Sequence, residues 1–473
     1  MTIPVGQYVN GGKALADVVR DREQVSLSDP GRRSAVHRNV GLLLLRAYVV
    51  TILVIPSDAV FSPLGASGYV ASMVALVAFA WNAMRVLGGM DRRIAPGNPL
   101  RAVLTLFWLI TLASYLKFHL LPQDSVSTLA ADRWLLLLLG ITGVILVSGK
   151  ALMSPDDLMV LLRTASWAGA FCGLVAGLQF WTSVDLAPIL RQVPGLTVSA
   201  ADFGIQLRGA LNRVAGTAIH PIELGTTAAL LLPLALHVLL FDKNRPTWRR
   251  LLPFLLIALS VPASVSRSGI LAMSVSMGVY VLCQPPIRRL KGIMLVPVAV
   301  TAVFVSTPGL IGTLASFFEA GTSDPSISTR VGDYPFVEHL VSQRPLLGMG
   351  GGTFLPKDVF EILDNQYLKT STELGLLGLV ILIAYLLVPF FLALACWRRT
   401  RDPLMASASA ACAGSAASAV ASAFTFDAFS FPMFTGVHAL VLGLCAACWT
   451  ITHRGPRPLR RAAAGGTRPR ATP

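Results

Sequence analysis

The stretch LDNQYLKTSTELGLLGLVILIAYLL, Leu363 to Leu387, places Asp364, Asn365, Lys369 and Glu373 directly before a nearly pure hydrocarbon run. A run of about 20 apolar residues is the length that crosses a bilayer as an α-helix. Similar blocks recur through the 473 residues, of which 54% are hydrophobic and 13% charged, and the mean hydropathy is +0.66. The sequence therefore predicts a polytopic membrane protein.

The apolar blocks predict an all-α fold with about twelve transmembrane helices by the length criterion. Strict alternation of apolar and polar residues, which is typical of outer-membrane barrels, is missing, and helices are the other structure that satisfies its backbone in lipid. The predicted spans are residues 40–56, 64–87, 100–121, 132–149, 161–182, 215–241, 250–265, 268–284, 291–309, 366–396, 404–425 and 431–452. Residues 40–452 then form one transmembrane domain, with a large external loop, 310–365, between the ninth and tenth helices.

The basic residues predict the orientation in the membrane. The chain has 39 Lys and Arg against 24 Asp and Glu, a formal charge of +15, and most of the basic residues fall on the side of the N-terminus. Because basic loops stay cytoplasmic, we expect both termini inside, with 1–39 as a polar tail and 453–473 as a basic disordered tail. The N-terminus lacks the apolar core of a cleavable signal peptide. This asymmetry accounts for the charge without a nucleic-acid partner and predicts a multi-pass protein of the cytoplasmic membrane.

The cysteines and histidines predict neither disulfides nor a metal site. All six cysteines lie in or at the edges of apolar runs, where a disulfide framework is not expected. Cys445 and Cys448 have no second ligand pair, and no cluster of His, Cys and carboxylate residues shows metal-ligand spacing. We therefore expect no metal and no cofactor.

The glycine-rich stretch GMGGGTF, Gly348 to Phe354, superficially resembles a phosphate-binding loop. It follows a loop rather than a strand and lacks the Lys-Ser/Thr ending that such loops require. The stretch therefore predicts flexible loop geometry rather than nucleotide binding.

The external basic residues need an explanation other than topology. Lys117, Arg133, Arg191, Arg208, Arg344 and Lys357 lie in predicted loops or at helix ends, where solvation suffices. Arg213 and Arg330 flank predicted helices on the same side, and Arg267 lies in a tight connection between two apolar helices. An arginine at such depth binds either an anion or helix-end carbonyls. Guanidinium forks suit phosphate oxygens, so a lipid diphosphate is one candidate ligand for these three residues.

The motifs RVAGTAIHPIELG, SVSRSGILA, STRVG…RPLLGMGGGTF and DNQYLKTSTELGLLGL follow one another over roughly residues 205–390. In order and topological place they resemble the O-antigen ligase and O-antigen polymerase family, membrane glycosyltransferases that use polyprenyl-diphosphate-linked sugars. The resemblance implies glycan transfer from this donor to a glycan or lipid acceptor hydroxyl, without metal or nucleotide sugar. It further implies that Arg213 and Arg267 hold the donor diphosphate and that Arg330 assists from the loop.

The general base is less defined, because Asp364 stands where ligases of the family commonly carry His. A carboxylate with a raised pKa can accept the acceptor proton, and Asp364 equally suits the N-cap of the following helix. His339 is a second candidate, and His220, before a proline, suits either a cap or catalysis. Glu373 lies four residues after Lys369, which predicts an ion pair, although the resemblance also makes it a catalytic candidate.

Transport of a lipid-linked substrate is the alternative function. A transporter of this kind is expected to carry charged residues near the bilayer midplane, repeated halves and broken helices. The unexplained charges of this chain instead collect at one face. The sequence therefore favours a glycosyltransferase, either a polymerase or a ligase.

Overall fold

The computed structural model describes residues 30–89, 97–199, 205–208, 211–294, 301, 325–356 and 362–453. Most of these residues are helical. The helices are α1 (Pro30–Val54), α2 (Val70–Leu87), α3 (Pro99–His119), α4 (Ser125–Ala151), α5 (Pro155–Thr182), α6 (Ala187–Arg191), α7 (Pro221–Phe241), α8 (Thr247–Ala263), α9 (Arg267–Leu282), α10 (Pro325–Gln343), α11 (Gln366–Arg399), α12 (Pro403–Ala423) and α13 (Pro432–His453). Two 3₁₀ turns, Ser62–Ser67 and Ala428–Ser430, complete the helical elements.

Two short strand pairs interrupt the all-α plan. Strand β1 (Ala59–Phe61) pairs antiparallel with β2 (Leu196–Val198), and β3 (Gln206–Arg208) pairs antiparallel with β4 (Leu211–Arg213). Strands of three residues in connections give no alternating pattern long enough to read from sequence. The fold is thus nearly all-α.

The helices confirm a polytopic membrane protein. Among the described residues, eight helices are long and apolar enough to cross a membrane: α2, α3, α4, α5, α7, α11, α12 and α13. The apolar helix α9 is shorter, at 16 residues. The predicted spans overlap α1 to α5, α7 to α9 and α11 to α13, whereas most of 291–309, and 310–324 and 357–361 of the predicted loop, lie outside the described residues. The total of twelve spans and the placement of that loop therefore stay predictions.

Helices α7, α12 and α13 form the centre of the bundle. The buried share of the apolar window is 89% in α13 and 78% in α7 but 22% in α2, which lies at the periphery. Small residues let the central helices approach closely. A Cβ on Gly414 of α12 would lie 2.4 Å from the Ser276 carbonyl oxygen of α9, and Ser415 donates to the Leu230 carbonyl at 2.6 Å.

Consecutive helices run antiparallel because short connections join them, so their ends form two groups. The first group, here called the site end, contains the described residues 54–70, 119–125, 182–199, 205–208, 211–221, 263–267, 343–356, 362–366 and 423–432. The second, the opposite end, contains the described residues 87–89, 97–99, 151–155, 241–247 and 399–403.

Helix α11 is broken at Gly375, whose φ is 70° and ψ is −168°. The chain at 345–350 fills the break. Its Pro345 carbonyl accepts from Leu376 N–H at 2.8 Å, and Gly350 N–H donates to the Glu373 carbonyl at 2.9 Å. Irregular backbone at membrane depth is tolerated where protein groups satisfy it in this way. The expectation of flexible geometry for GMGGGTF is wrong in its first half, because this stretch is docked against a helix.

Candidate active site

A cavity of about 350 Å³ lies at the site end, between α2, α4, α11 and α13. Its wall is completed by 352–355 and by the 3₁₀ turn before α13. The side chains with hydroxyl, amide or charged groups that line it are Tyr48, Tyr69, Ser72, Arg133, Gln366, Lys369, Glu373, Ser430 and Thr435. The remaining lining is mainly apolar and aromatic, as in most small-molecule sites.

Three side chains that line this cavity each have one buried polar atom without a hydrogen-bond partner among the described residues: Nε of Arg133, Nε1 of Trp134 and Oε1 of Glu373. Folded proteins satisfy nearly all buried polar groups, so each exception calls for an explanation. Two of the three are donors and one is a carboxylate acceptor. This combination of donors and acceptor is suited to a ligand that carries both an anionic group and a hydroxyl group.

Glu373 is the acid that the fold places in the cavity. Its side chain is 2% exposed, and the helix break at Gly375 follows two residues later. The predicted ion pair with Lys369 is wrong. The Lys369 ammonium instead lies 3.2 Å from Asp427 Oδ2 and 2.5 Å from Ser430 Oγ. Glu373 lines the cavity, and its buried Oε1 has no hydrogen-bond partner among the described residues.

The start of α11 shows the role of its other polar residues. Asn365 is the N-cap, and its side chain accepts from the N–H groups of Tyr367 at 2.9 Å and Leu368 at 3.4 Å. The prediction that Asp364 caps this helix is therefore wrong, because the next residue, Asn365, is the N-cap. Asp364 itself is half-buried and does not line the cavity.

Arg133 is a site residue that the sequence analysis missed. Its expected solvation is wrong, because Nε is buried and the side chain lines the cavity. Arg133, Leu137 and Gly140 all line it, at the i, i+4, i+7 spacing of one helix face. Gly140 packs on α2, where a Cβ would lie 3.2 Å from that of Ala75. This spacing was a usable signal that Arg133 faces another helix.

Arg133 also influences Tyr69, which precedes α2 and lines the same cavity. Burial raises the pKa of Tyr69, and the positive charge of Arg133 partly opposes that shift. The phenol therefore stays protonated at neutral pH. It supplies another hydroxyl group to the cavity wall.

Arg213 and His220 lie together beside this site. Arg213 ends β4, and His220 caps α7 by accepting from Ile222 N–H at Nδ1, at 3.2 Å. Burial, aided by the charge of Arg213, lowers the pKa of His220 to about 4. The cap reading of His220 is thus the one that the geometry supports. The His220 ring lies 6.1 Å from that of Phe431, next to the cavity wall.

Glu223 ties this region to α13. It is fully buried, and its oxygens accept from Ser57 Oγ at 3.1 Å, Ile219 N–H at 2.8 Å and Met433 N–H at 2.6 Å. A carboxylate that accepts backbone N–H groups at a helix start satisfies donors that the helix itself leaves open. Glu223 therefore fixes the start of α13, which forms part of the cavity wall.

Arg267 is the first residue of α9, at the site end but outside the cavity lining. Its connection is constrained: Val265 has a φ of 44°, which is rare for a β-branched residue. Helix α9 meets α7 closely here, since a Cβ on Gly269 would lie 3.0 Å from Gly225 Cα. Arg267 thus neighbours the start of α7, which His220 caps.

The two loop candidates are not brought into the cavity by the described residues. Arg330 lies in α10, and its side chain is outside what the structure describes. His339 is exposed on the same helix, with Nε2 at 2.9 Å from the Gln343 amide nitrogen. The buried residue Val337 packs α10 against Phe354 and Leu363 instead.

Two other basic residues that were expected to be solvated have protein partners. Arg191 forms an ion pair with Asp58 at 2.8 Å, with side chains only 14% and 4% exposed. Lys117 donates to the Gly348 carbonyl at 3.4 Å. The solvated reading is therefore wrong for Arg191, and Lys117 helps to hold the glycine-rich loop.

No group of three or more His, Cys, Asp or Glu residues that could hold a metal ion occurs in the described part of the chain. The six cysteines are all free thiols. A metal-independent reaction stays a prediction.

Comparison with protein families gives a match. Residues 252–383 match the family model described as O-Antigen ligase. This segment runs from α8 into α11 and includes Arg267, the glycine-rich loop and Glu373. A search of curated proteins found no similar sequence. The family match supports ligase-like glycan transfer in general. It agrees with the resemblance carried by the motifs, and it shows that this segment of the membrane protein is similar to the O-antigen ligase family.

Proposed function

We propose that the chain transfers or polymerises a polyprenyl-diphosphate-linked glycan onto an acceptor hydroxyl at the outer face of the cytoplasmic membrane. The observation that carries the proposal is the cavity lined by Arg133, Trp134 and Glu373, each of which has a buried polar atom without a hydrogen-bond partner among the described residues. Glu373 belongs to the segment that matches the ligase family. A phosphorylated sugar supplies an anion for the donors and a hydroxyl for the carboxylate.

The reaction is a substitution at the anomeric carbon of the donor sugar. The acceptor oxygen forms the new glycosidic bond while the bond from carbon to diphosphate oxygen breaks, and its electron pair leaves with the diphosphate. The hydroxyl proton passes to a general base. Cationic groups aimed at the leaving diphosphate stabilise the charge that develops on it.

Glu373 is our candidate for the general base, because it is the carboxylate that lines the cavity. Asp364 remains a second candidate nine residues earlier in the chain, at the start of the same helix. His339 would need α10 to change its position, since it is exposed on that helix.

The donor diphosphate is proposed to lie between the cavity and the starts of α7 and α9. Arg213 and Arg267 lie at these two starts, and Arg133 supplies a further cation in the cavity. Arg330 is proposed to assist from α10. Guanidinium groups bind phosphate oxygens through paired hydrogen bonds, which makes them suited to a diphosphate.

The proposed orientation follows from the opposite end of the bundle. Five arginines lie in its connections or in the helix turns next to them: Arg245, Arg249, Arg398, Arg399 and Arg401. Basic connections of this kind stay in the cytoplasm, so the site end would face outward.

Transport remains a second candidate because α11 is broken, a feature of transporter binding sites. The break lies nine residues into a 34-residue helix, however, and the backbone of 345–350 fills it. The break therefore lies near one face of the membrane, and backbone groups around it already have hydrogen-bond partners within the protein. These features favour catalysis at that face.

The pool of polyprenyl-diphosphate-linked glycan in a deletion strain, resolved by chain length, tests the proposal. Accumulated single repeat units without long chains would identify a polymerase, and long chains stranded on the lipid would identify a ligase. Complementation with Glu373→Gln should fail, while Asp156→Asn, an exposed acid at the opposite end, should restore the wild-type pool. An unchanged pool in the deletion strain would contradict the enzyme assignment.

A further inference from the structure

A second and larger cavity, of about 840 Å³, lies at the opposite end of the bundle between α1, α5, α7 and α8. Four arginines line it: Arg46, Arg163, Arg245 and Arg249. Among the described lining residues Asp242 is the single acid. The proposed glycan transfer uses none of these residues.

The one acid is already neutralised. Arg163 donates to both carboxylate oxygens of Asp242, at 2.5 Å and 2.7 Å. Arg46, Arg245 and Arg249 are exposed, and Arg46 is held at the groove by a 3.2 Å bond from Nε to Thr164. The groove therefore carries an excess of positive charge that suits an anion.

The lining changes from basic to apolar toward the bilayer interior. On α1, Val54 lies eight residues beyond Arg46 toward the site end, roughly 12 Å along the axis. On α5, Phe171 lies the same distance beyond Arg163, and on α8, Pro253 lies one turn beyond Arg249. On all three helices, the cations thus lie nearer the opposite end of the bundle and the apolar side chains lie deeper in the bilayer.

Two exposed tryptophans accompany these residues: Trp167 lies between Arg163 and Phe171 along α5, and Trp248 lies beside Arg249 at the start of α8. Trp167 is 43% exposed and Trp248 is 58% exposed, and both line the groove. Arg249 lies over the Trp248 ring, with its guanidinium carbon 5.1 Å from the ring centroid. Tryptophan is enriched where headgroups meet hydrocarbon, which places this part of the groove at the membrane interface.

We propose that this groove binds an anionic phospholipid, with its phosphate headgroup at the arginines and an acyl chain along the Val54, Phe171 and Pro253 face. Basic pockets between helices on the cytoplasmic side are suited to such lipids. On α5, the order of Arg163, Trp167 and Phe171 matches the order of headgroup, interface and acyl chain in a bound phospholipid. The site is independent of the glycan-transfer cavity.

Native mass spectrometry of the purified full-length protein tests the proposal, with phosphatidylglycerol and phosphatidylcholine of equal chain length as probes. We expect at least tenfold tighter binding of phosphatidylglycerol. Arg245→Ala/Arg249→Ala should weaken that binding at least tenfold, whereas Arg398→Ala/Arg401→Ala should change it less than twofold. The control pair removes the same charge from exposed positions at the same end that lie outside the groove.

Several outcomes would overturn the proposal. Equal affinity for phosphatidylcholine and phosphatidylglycerol would show that the lipid charge is not recognised. An equal loss of phosphatidylglycerol affinity in both double variants would show that the lipid is attracted by the general surface charge and not by the groove. Displacement of phosphatidylglycerol by glycerol 3-phosphate at the same concentration would mean a free-phosphate site. Displacement by polyprenyl diphosphate at lower concentration would make the groove a donor site. Thermal unfolding of each variant confirms that the protein remains folded.

Discussion

The backbone of Gly348 packs against the backbone of Gly375, where a Cβ on Gly348 would lie 2.6 Å from Gly375 N. The same Cβ would lie 2.4 Å from the Glu373 carbonyl carbon. The glycine-rich loop thus touches the helix break directly beside the proposed base. Positioning of Glu373 depends on two glycines that are distant in the chain.

Gly375→Ala is expected to destabilise the protein by about 2 to 4 kcal/mol, because a φ of 70° is strained for alanine and its Cβ would lie 2.4 Å from Leu346 C. Glycan transfer should fall with it. Gly278→Ala, a helical position where a Cβ meets nothing within 4 Å, is the matched control and should retain stability. Thermal unfolding in detergent measures both, and an unfolding midpoint for Gly375→Ala equal to that of the control would refute this role of the break.

Glu373→Gln should lower the rate of glycan transfer by roughly 10²- to 10⁴-fold, the range expected for a general base. The change keeps the size of the side chain and removes its basicity. Membrane insertion should be unaffected. Initial rates with saturating donor and acceptor check this, and a variant rate within threefold of wild type would exclude Glu373 as the base. In that event Asp364→Asn is the next variant to measure.

Arg133→Ala should slow transfer by roughly 10²-fold, since a preorganised cation at a developing charge contributes on that scale. Arg133→Lys should recover part of the rate because it restores the charge without the fork. Arg101→Ala removes an exposed arginine at the opposite end and serves as the control. If Arg133→Ala and Arg101→Ala behave alike in rate assays, Arg133 has no role in the site.

Stability should fall between about pH 6.5 and pH 4 because of His220. Its pKa is lowered from 6.5 to about 4 in the folded protein, so the unfolded chain binds the proton more readily in this window. The loss should reach at most about 3 kcal/mol at the acid end. His220→Asn keeps a capping side chain and removes the titration. Unfolding midpoints of both proteins across this pH range test the effect, and identical pH profiles would contradict it.

Much of the fold follows from the sequence because lipid leaves the backbone few options. Apolar blocks such as Leu374–Leu387 must become helices to satisfy their backbone groups in a bilayer. A single glycine within such a block gives no signal of a break, because the break at Gly375 depends on 345–350, which fills it. That contact is set by tertiary packing and not by local pattern.

The candidate site was only partly predictable for the same reason. Glu373 and Arg213 were identified from motifs, but the partners of Lys369 and Arg191 lie far away in the chain, at Asp427 and Asp58. Pairings over such separations leave no local signature. The position of Arg133 can be predicted, because its seven-residue spacing from Gly140 places both residues on one helix face and can be read from the sequence.

The most direct test of the central claim is glycan transfer by the purified protein in proteoliposomes, with a polyprenyl-diphosphate glycan as donor and a defined acceptor. New glycosidic bonds, released polyprenyl diphosphate and donor movement across the bilayer are measured together. The wild-type protein should form one bond per released diphosphate, and Glu373→Gln should form almost none. Movement of the donor across the bilayer without bond formation, in both proteins, would contradict the enzyme assignment and indicate transport.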